Sequence, residues 1–117
     1  MIKIEGPAGP DLTRGLGATP EPGMAAMYVT ANRGKRSVTI DLQDPRGVEA
    51  LKLMVKNSDV VIQNFRPGVN TRLGVDYAAL SAVNPEIIML TISGFGSSGP
   101  YLLRGECIGP KTVHSAH

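Results

Sequence analysis

Tryptophan is absent from this chain and aromatic residues make up only 4% of it, so the large rings that usually anchor a core are scarce. A single cysteine, Cys107, excludes an intrachain disulfide framework and leaves too few thiols for a Cys-based zinc site. A reducing compartment, the cytoplasm first, fits that usage. No stretch approaches the ~20 apolar residues that cross a bilayer, and the N-terminus lacks the layout of a signal peptide. Neither membrane insertion nor secretion is expected. A dominant sign of charge is missing too: 12 Lys+Arg stand against 10 Asp+Glu, for a formal net charge of +2. That balance gives no general case for nucleic acid, although a local basic cluster could still hold a phosphate.

The 117 residues suit one domain, and a 42% hydrophobic share argues against wholesale disorder. Of the 14 glycines and 9 prolines, sixteen fall in residues 1–23 and 94–110. They bracket an ordered middle with two loop-like ends. A self-contained domain more often begins and ends with elements that close its core, so this distribution predicts a slice of a larger fold.

Met1 to Ile4 alternates apolar and polar and reads as a short strand. Residues 5–23 have no period and many breakers, hence a loop. Met24–Ala31 suits a short helix. Ser37–Leu42 puts Val38, Ile40 and Leu42 on one side, a strand signal. Asp44 is a good N-cap, Pro45 sits at the first helical position, and Val48, Leu51 and Val55 follow at helical spacing. Asp59–Gln63 is a short apolar strand. Asn64–Gly68 is a turn, Val69–Leu73 a single helical turn, and Asp76 caps a short helix through Val83. Pro85 stops it, and Glu86–Ser93 is the strongest strand. Strands alternating with helices argue for parallel α/β layering.

Four features could carry chemistry. Asn32–Arg36 sets three positive charges in a short run, either a solvated turn or a site for phosphate or carboxylate. Asn64-Phe65-Arg66-Pro67-Gly68 follows a strand, where open α/β sheets bind ligands. There the amide, the flat ring and the fixed charge suit an adenine nucleotide, and Arg72 could add a second charge. Gly94, Gly96 and Gly99 match a GxGxxG spacing, but no helical pattern follows to support a phosphate, so a flexible segment is the better reading. Cys107, His114 and His117 have no acidic or sulfur partner at helical spacing, and no metal site is expected.

Several stretches run in one order: Ile2-Lys3-Ile4-Glu5, Asp11-Leu12-Thr13-Arg14, Asn32 through Leu42, Asp59 through Gly68, Leu73-Gly74, Asn84-Pro85, Ser93-Gly94-Phe95-Gly96 and Gly99-Pro100-Tyr101. The series resembles the family III CoA-transferases, which also include acyl-CoA racemases and carnitine and bile-acid CoA-transferases. The resemblance implies an α/β fold, with a partial Rossmann-like parallel sheet of the family's large domain over residues 1–101. Residues 102–117 are then a divergent, disordered tail. It also implies interlocked homodimers, and CoA or acyl-CoA bound as a substrate, with a small carboxylic acid, rather than a covalently held cofactor. In the family an aspartate attacks the acyl-CoA carbonyl, and anhydride and thioester intermediates follow. By resemblance, Ile40, Asp41, Leu42 and Gln43 line the CoA site. Asn64, Phe65 and Arg66 contact its nucleotide, and Arg72 lies near its phosphates.

The departures from the family pattern matter as much. Members carry a further strand, a Gly-Pro-containing turn and a helix before the Ile-Lys-Ile-Glu strand. Gly34 replaces a common Asn. Past Tyr101 the family runs to a Gly-Asp motif that holds the nucleophile, whereas this chain reads Leu102-Leu103-Arg104-Gly105-Glu106-Cys107 and continues to His117. No residue matches the catalytic aspartate, and Asp41, Asp44, Asp59 and Asp76 belong to other motifs. A truncated CoA-transferase, inactive alone, is therefore expected. The racemase branch and a non-catalytic CoA-binding or decoy subunit are the alternatives, and organelles are open as a compartment for eukaryotic members. A slice of this kind would expose an unpaired sheet edge and an uncovered apolar face, and so be poorly stable by itself.

Overall fold

A computed structural model describes residues 1–9, 11–19, 21–96 and 99–100. The expected tail, residues 102–117 with Cys107, His114 and His117, lies outside the described residues. Two compact units divide the chain, Met1–Leu51 and Lys52–His117.

In the first unit, β1 (Ile2–Glu5) pairs in parallel with β2 (Arg36–Thr39), with Lys3 opposite Ser37 and Glu5 opposite Thr39. Parallel pairing demands a long crossover. The crossover here holds a 3-10 turn, Leu12–Gly15, and helix α1, Ala26–Asn32. The breaker-rich loop expected over 5–23 is thus interrupted by one ordered turn. Asp11 nucleates it by accepting hydrogen bonds from the Thr13 backbone N–H at 2.9 Å and the Thr13 hydroxyl at 2.7 Å. Gly34 has a φ of +77°. That left-handed conformation favours glycine, with Asn the side chain that tolerates it next best.

Strand β2 stops earlier than the alternation of Val38, Ile40 and Leu42 predicts. Ile40 extends the ladder by one bond to the Glu5 carbonyl at 3.0 Å. Asp41 then accepts from the Gln43 N–H at 2.8 Å and turns the chain. Helix α2 (Pro45–Val55) follows, capped as expected by Asp44, whose carboxylate accepts from the Arg46 N–H at 2.9 Å. Glycine is required at position 47, because a Cβ there would sit 1.9 Å from the Asp41 carbonyl oxygen and 2.8 Å from its carbon. Helix and turn approach too closely for any side chain. Ala25, Tyr28, Ile40 and Leu51 are the buried apolar residues of this unit.

The second unit repeats the parallel pairing with β3 (Val60–Gln63) and β4 (Ile88–Thr91), Val60 opposite Ile88 and Ile62 opposite Leu90. Between them lie α3 (Val69–Arg72) and α4 (Tyr77–Ser81). Asp76 caps α4 as expected, accepting from the Ala79 N–H at 3.0 Å. Both β4 and α4 are shorter than their apolar patterns. Asn84 causes this: its side-chain oxygen accepts from the Glu86 N–H at 3.1 Å, making a turn that consumes residues 84–87. Its amide donates to the carbonyls of Val55 at 3.1 Å and Ser58 at 2.9 Å. One side chain therefore ends α4, delays β4 and gives the last carbonyl of α2, that of Val55, a donor. Val55, Val75, Leu80 and Ile87 are buried here.

Four parallel strands and the helices between them make this an α/β chain, as expected. The strands form two two-stranded sheets among the described residues, rather than one continuous sheet, because β2 and β3 share no ladder.

Replacing Gly47 by Ala should lower the urea midpoint of the first unit by the equivalent of about 1–3 kcal/mol, the usual cost of forcing atoms into a filled site. Gly15→Ala, where a Cβ meets nothing within 4 Å, should leave the midpoint within experimental scatter.

Candidate functional site

Both loops singled out in the sequence follow the C-terminal ends of parallel strands. Residues 40–43 follow β2 in the first unit, and Asn64-Phe65-Arg66 follows β3 in the second. In the first loop Ile40 is buried, Leu42 is half-buried, and Asp41 and Gln43 are exposed. One oxygen of Asp41 is already engaged by the Gln43 N–H, so this carboxylate holds the turn.

The second loop is built more firmly. The Phe65 N–H donates to the side-chain oxygen of Gln63 at 2.7 Å, and the Gln63 amide donates to the Thr91 hydroxyl at 2.7 Å. A polar pair across β3 and β4 thus fixes where Phe65 leaves the sheet. Phe65 is half-buried, whereas Asn64 and Arg66 are exposed. Gly68 follows at φ +81°, a conformation that favours glycine. It starts α3, whose first turn closes with the Val69 N–H donating to the Arg66 carbonyl at 3.1 Å. The helix ends on Arg72, also exposed, and one turn of helix brings Arg66 and Arg72 into the same local structure. Among the described residues, neither guanidinium has a hydrogen-bond or ion-pair partner. Two unneutralised planar cations beside an aromatic face suit an anionic nucleotide.

Gln63 was missed in the sequence because a polar residue ending an apolar strand looks like a mere boundary. Its position opposite Thr91 could have been found only with the strand register in hand. In the glycine-rich run, Gly96 has a φ of +79° and Gly99 a φ of +101°, and the residues that would follow it as a helix lie outside the described residues.

A second polar assembly, in the first unit, was not foreseen as a cluster. The Glu5 carboxylate accepts from Arg14 Nε at 2.9 Å and Nη2 at 2.7 Å, from the Asp11 N–H at 3.0 Å and from the Tyr28 hydroxyl at 3.3 Å. Arg14 also donates to the Tyr28 oxygen at 2.6 Å and the Gly23 carbonyl at 3.3 Å. Its guanidinium carbon lies 4.0 Å from the Tyr28 ring centre, and Lys3 Nζ lies 4.6 Å from it. Lys3 is ion-paired with Asp11. The Arg14 hydrogen bond holds the Glu5 carboxyl at about 2 although burial opposes it, and Lys3 does the same for Asp11, also at about 2. The pairing raises Arg14 further above its usual range. Every charge here already has a partner, so the assembly is a clamp on the β1–β2 crossover.

Both carboxyls titrate lower when folded than their ordinary values of 4.5 and 3.8. Their contribution is therefore complete above about pH 4.5 and is lost as the pH falls toward 2. Urea midpoints of the chain should be flat from pH 7 to 5 and fall below that. In Glu5→Gln the midpoint should be lower at pH 7 and the acid decline shallower. An unchanged acid limb in that variant would count against the clamp.

No helix among the described residues is long and apolar enough to cross a membrane. The sequence model of "CoA-transferase family III" matches residues 1–107. The beta subunit of succinyl-CoA–L-malate CoA-transferase from Chloroflexus aurantiacus is 40% identical over 101 residues, which cover 86% of this chain and 25% of that protein. Succinate–glutarate CoA-transferase from Agrobacterium fabrum is 42% identical, covering 86% of this chain and 27% of its own length. A crystal structure of a CAIB/BAIF family protein from Brucella suis superposes with a TM-score of 0.78 at 42% identity, over 89% of this chain and 28% of that one. This chain spans about a quarter of the length of the curated relatives it matches.

Proposed function

We propose, because the chain belongs to CoA-transferase family III, that residues 1–101 are the part of such an enzyme that grips the nucleotide end of CoA. The parent reaction is transfer of CoA between an acyl-CoA and a small carboxylic acid. The observation that carries this reading is the Asn64–Arg66 turn with Arg72. It joins Phe65, whose backbone is held by Gln63, to two guanidiniums without partners among the described residues, beyond the end of a parallel strand. Phe65 offers its face to the adenine, worth about 1–3 kcal/mol for a stacked base. Arg66 and Arg72 neutralise phosphate oxygens, and Asn64 supplies an amide. Ile40, Asp41, Leu42 and Gln43 line CoA at the end of β2, with Ile40 and Leu42 giving apolar contact.

The named relatives act on succinyl-CoA with malate and on succinate with glutarate. We carry that substrate class over: a short dicarboxylic acid as acceptor. The same names favour transfer over the racemase branch. CoA enters and leaves as substrate, and no covalently held cofactor is invoked. An aspartate nucleophile is assigned to none of residues 1–117, so this chain binds CoA without turning it over, as a CoA-binding piece or subunit. The intact protein is a homodimer in the cytoplasm.

Titration of the 117-residue chain with CoA, followed calorimetrically, tests the reading. Saturable binding is expected, with Kd raised about tenfold or more in Arg66→Ala and in Arg72→Ala, the scale of one charge-assisted hydrogen bond. Phe65→Ala should weaken binding by a similar factor while leaving the dependence on salt unchanged. CoA affinity indifferent to all three substitutions would overturn the site.

A further inference from the structure

The basic run Asn32–Arg36 is not used by the CoA reading, and the structure gives it a setting. Beside it lies a pocket of about 230 Å³ lined by Met24, Tyr28 and Val29 and by Lys3, Arg33, Lys35 and Ser37. Three cations line this pocket and no acid does. Lys3 is ion-paired with Asp11, so its charge is spoken for. Lys35 is held only by a neutral acceptor, the Asn32 side-chain oxygen at 3.0 Å. Arg33 and the Ser37 hydroxyl have no hydrogen-bond or ion-pair partner among the described residues.

Among the described residues, two positive charges and a hydroxyl donor therefore line this cavity without an anion to meet them. The site is also separate from residues 40–43. Ser37 and Lys3 are paired near the start of the β1–β2 ladder, and Ile40 lies three residues along it. At ~3.3 Å per residue that is about 10 Å away.

We propose that this pocket binds a small oxyanion, a phosphate or carboxylate group, with Arg33 and Lys35 as its charge partners, Ser37 as a hydrogen-bond donor and the exposed Met24 and Val29 against any apolar stem. Guanidinium and ammonium groups supply the donors such an oxyanion needs. The inference goes beyond the CoA site and does not depend on it.

The test is a nuclear magnetic resonance titration of the full 117-residue chain with inorganic phosphate and, separately, with succinate. Ionic strength is held constant with chloride, and chloride alone serves as comparator. Saturable shifts centred on the amides of Arg33, Lys35 and Ser37 are expected, with Kd raised about tenfold in Arg33→Gln and in Lys35→Gln, equivalent to ~1.4 kcal/mol. Circular dichroism checks that both variants stay folded. Saturation by phosphate alone identifies a phosphate as the ligand group, saturation by succinate alone a carboxylate, and either supports the site. Arg66→Ala, which should lose CoA, should leave these shifts intact, so failure of the CoA reading is told apart from failure of this one. Shifts that do not saturate, that chloride reproduces, or that survive unchanged in both Gln variants would overturn the proposal.

Discussion

Order in the first unit depends on one carboxylate. Glu5 ends β1, and from there the chain runs through a long crossover rich in glycine and proline before it returns as β2. Such a connection has little regular structure to hold it, and its backbone freedom opposes ordering at about 1–2 kcal/mol per residue. Glu5 gathers four donors from three points of that crossover: the Asp11 N–H, the Arg14 guanidinium and the Tyr28 hydroxyl. Tyr28 is buried and brings α1 with it. Arg14 in turn reaches the Gly23 carbonyl, tying down the stretch between the 3-10 turn and α1. An ion pair in the open would contribute little. This one is largely shielded, with 8% of the Glu5 side chain exposed, and all its lone pairs face donors. Removal of one partner would leave the other charge half-buried and unmatched.

The same arrangement explains how much of the fold was legible. Local signals were read well. Asp44 and Asp76 cap their helices, Pro45 begins α2, and the alternation of Ile2, Lys3 and Ile4 marks a strand. Each of these is decided within a few residues, by capping or by period. Element lengths were overestimated wherever a distant or backbone interaction ended an element before its apolar pattern did. Asp41 turns β2 away while Leu42 still looks strand-like, and Asn84 spends its side chain on a turn and on the carbonyls of Val55 and Ser58 before β4 can start. The Glu5 cluster was invisible as a cluster because Glu5 and Tyr28 stand 23 positions apart, across breaker-rich sequence. The alternation that puts Lys3 and Glu5 on one face was the only trace of it.

The candidate sites show a similar division. That Asn64–Arg66 follows a strand could be read from composition, and the structure puts both candidate loops beyond strand ends, where parallel α/β sheets leave backbone groups and side chains facing outward. What holds the loop backbone at Phe65 was hidden, since Gln63 acts through Thr91 on another strand. A loop whose backbone is held before a ligand arrives loses less freedom on binding. The two arginines differ from Arg14 in the same terms. Arg14 is consumed by Glu5 and serves the fold, whereas Arg66 and Arg72 keep their donors.

The sheet of the second unit bears most directly on what this chain is. Val60, Ile62, Ile88 and Leu90 are all exposed. Their register, Val60 opposite Ile88 and Ile62 opposite Leu90, puts them on one face. Parallel sheets are ordinarily covered on both faces, because their strands are apolar on both. Here the alternate residues, Val61 and Met89, are partly covered, and the face with four aliphatic side chains is not. The residues of β3 and β4 thus have the composition of an interior strand and the exposure of a surface one. A chain that spans a quarter of its relatives' length, with an aliphatic sheet face bare, exposes to water the kind of surface that parallel sheets ordinarily bury. That makes the stability of the second unit, and of the candidate loop it carries, depend on how little that face costs.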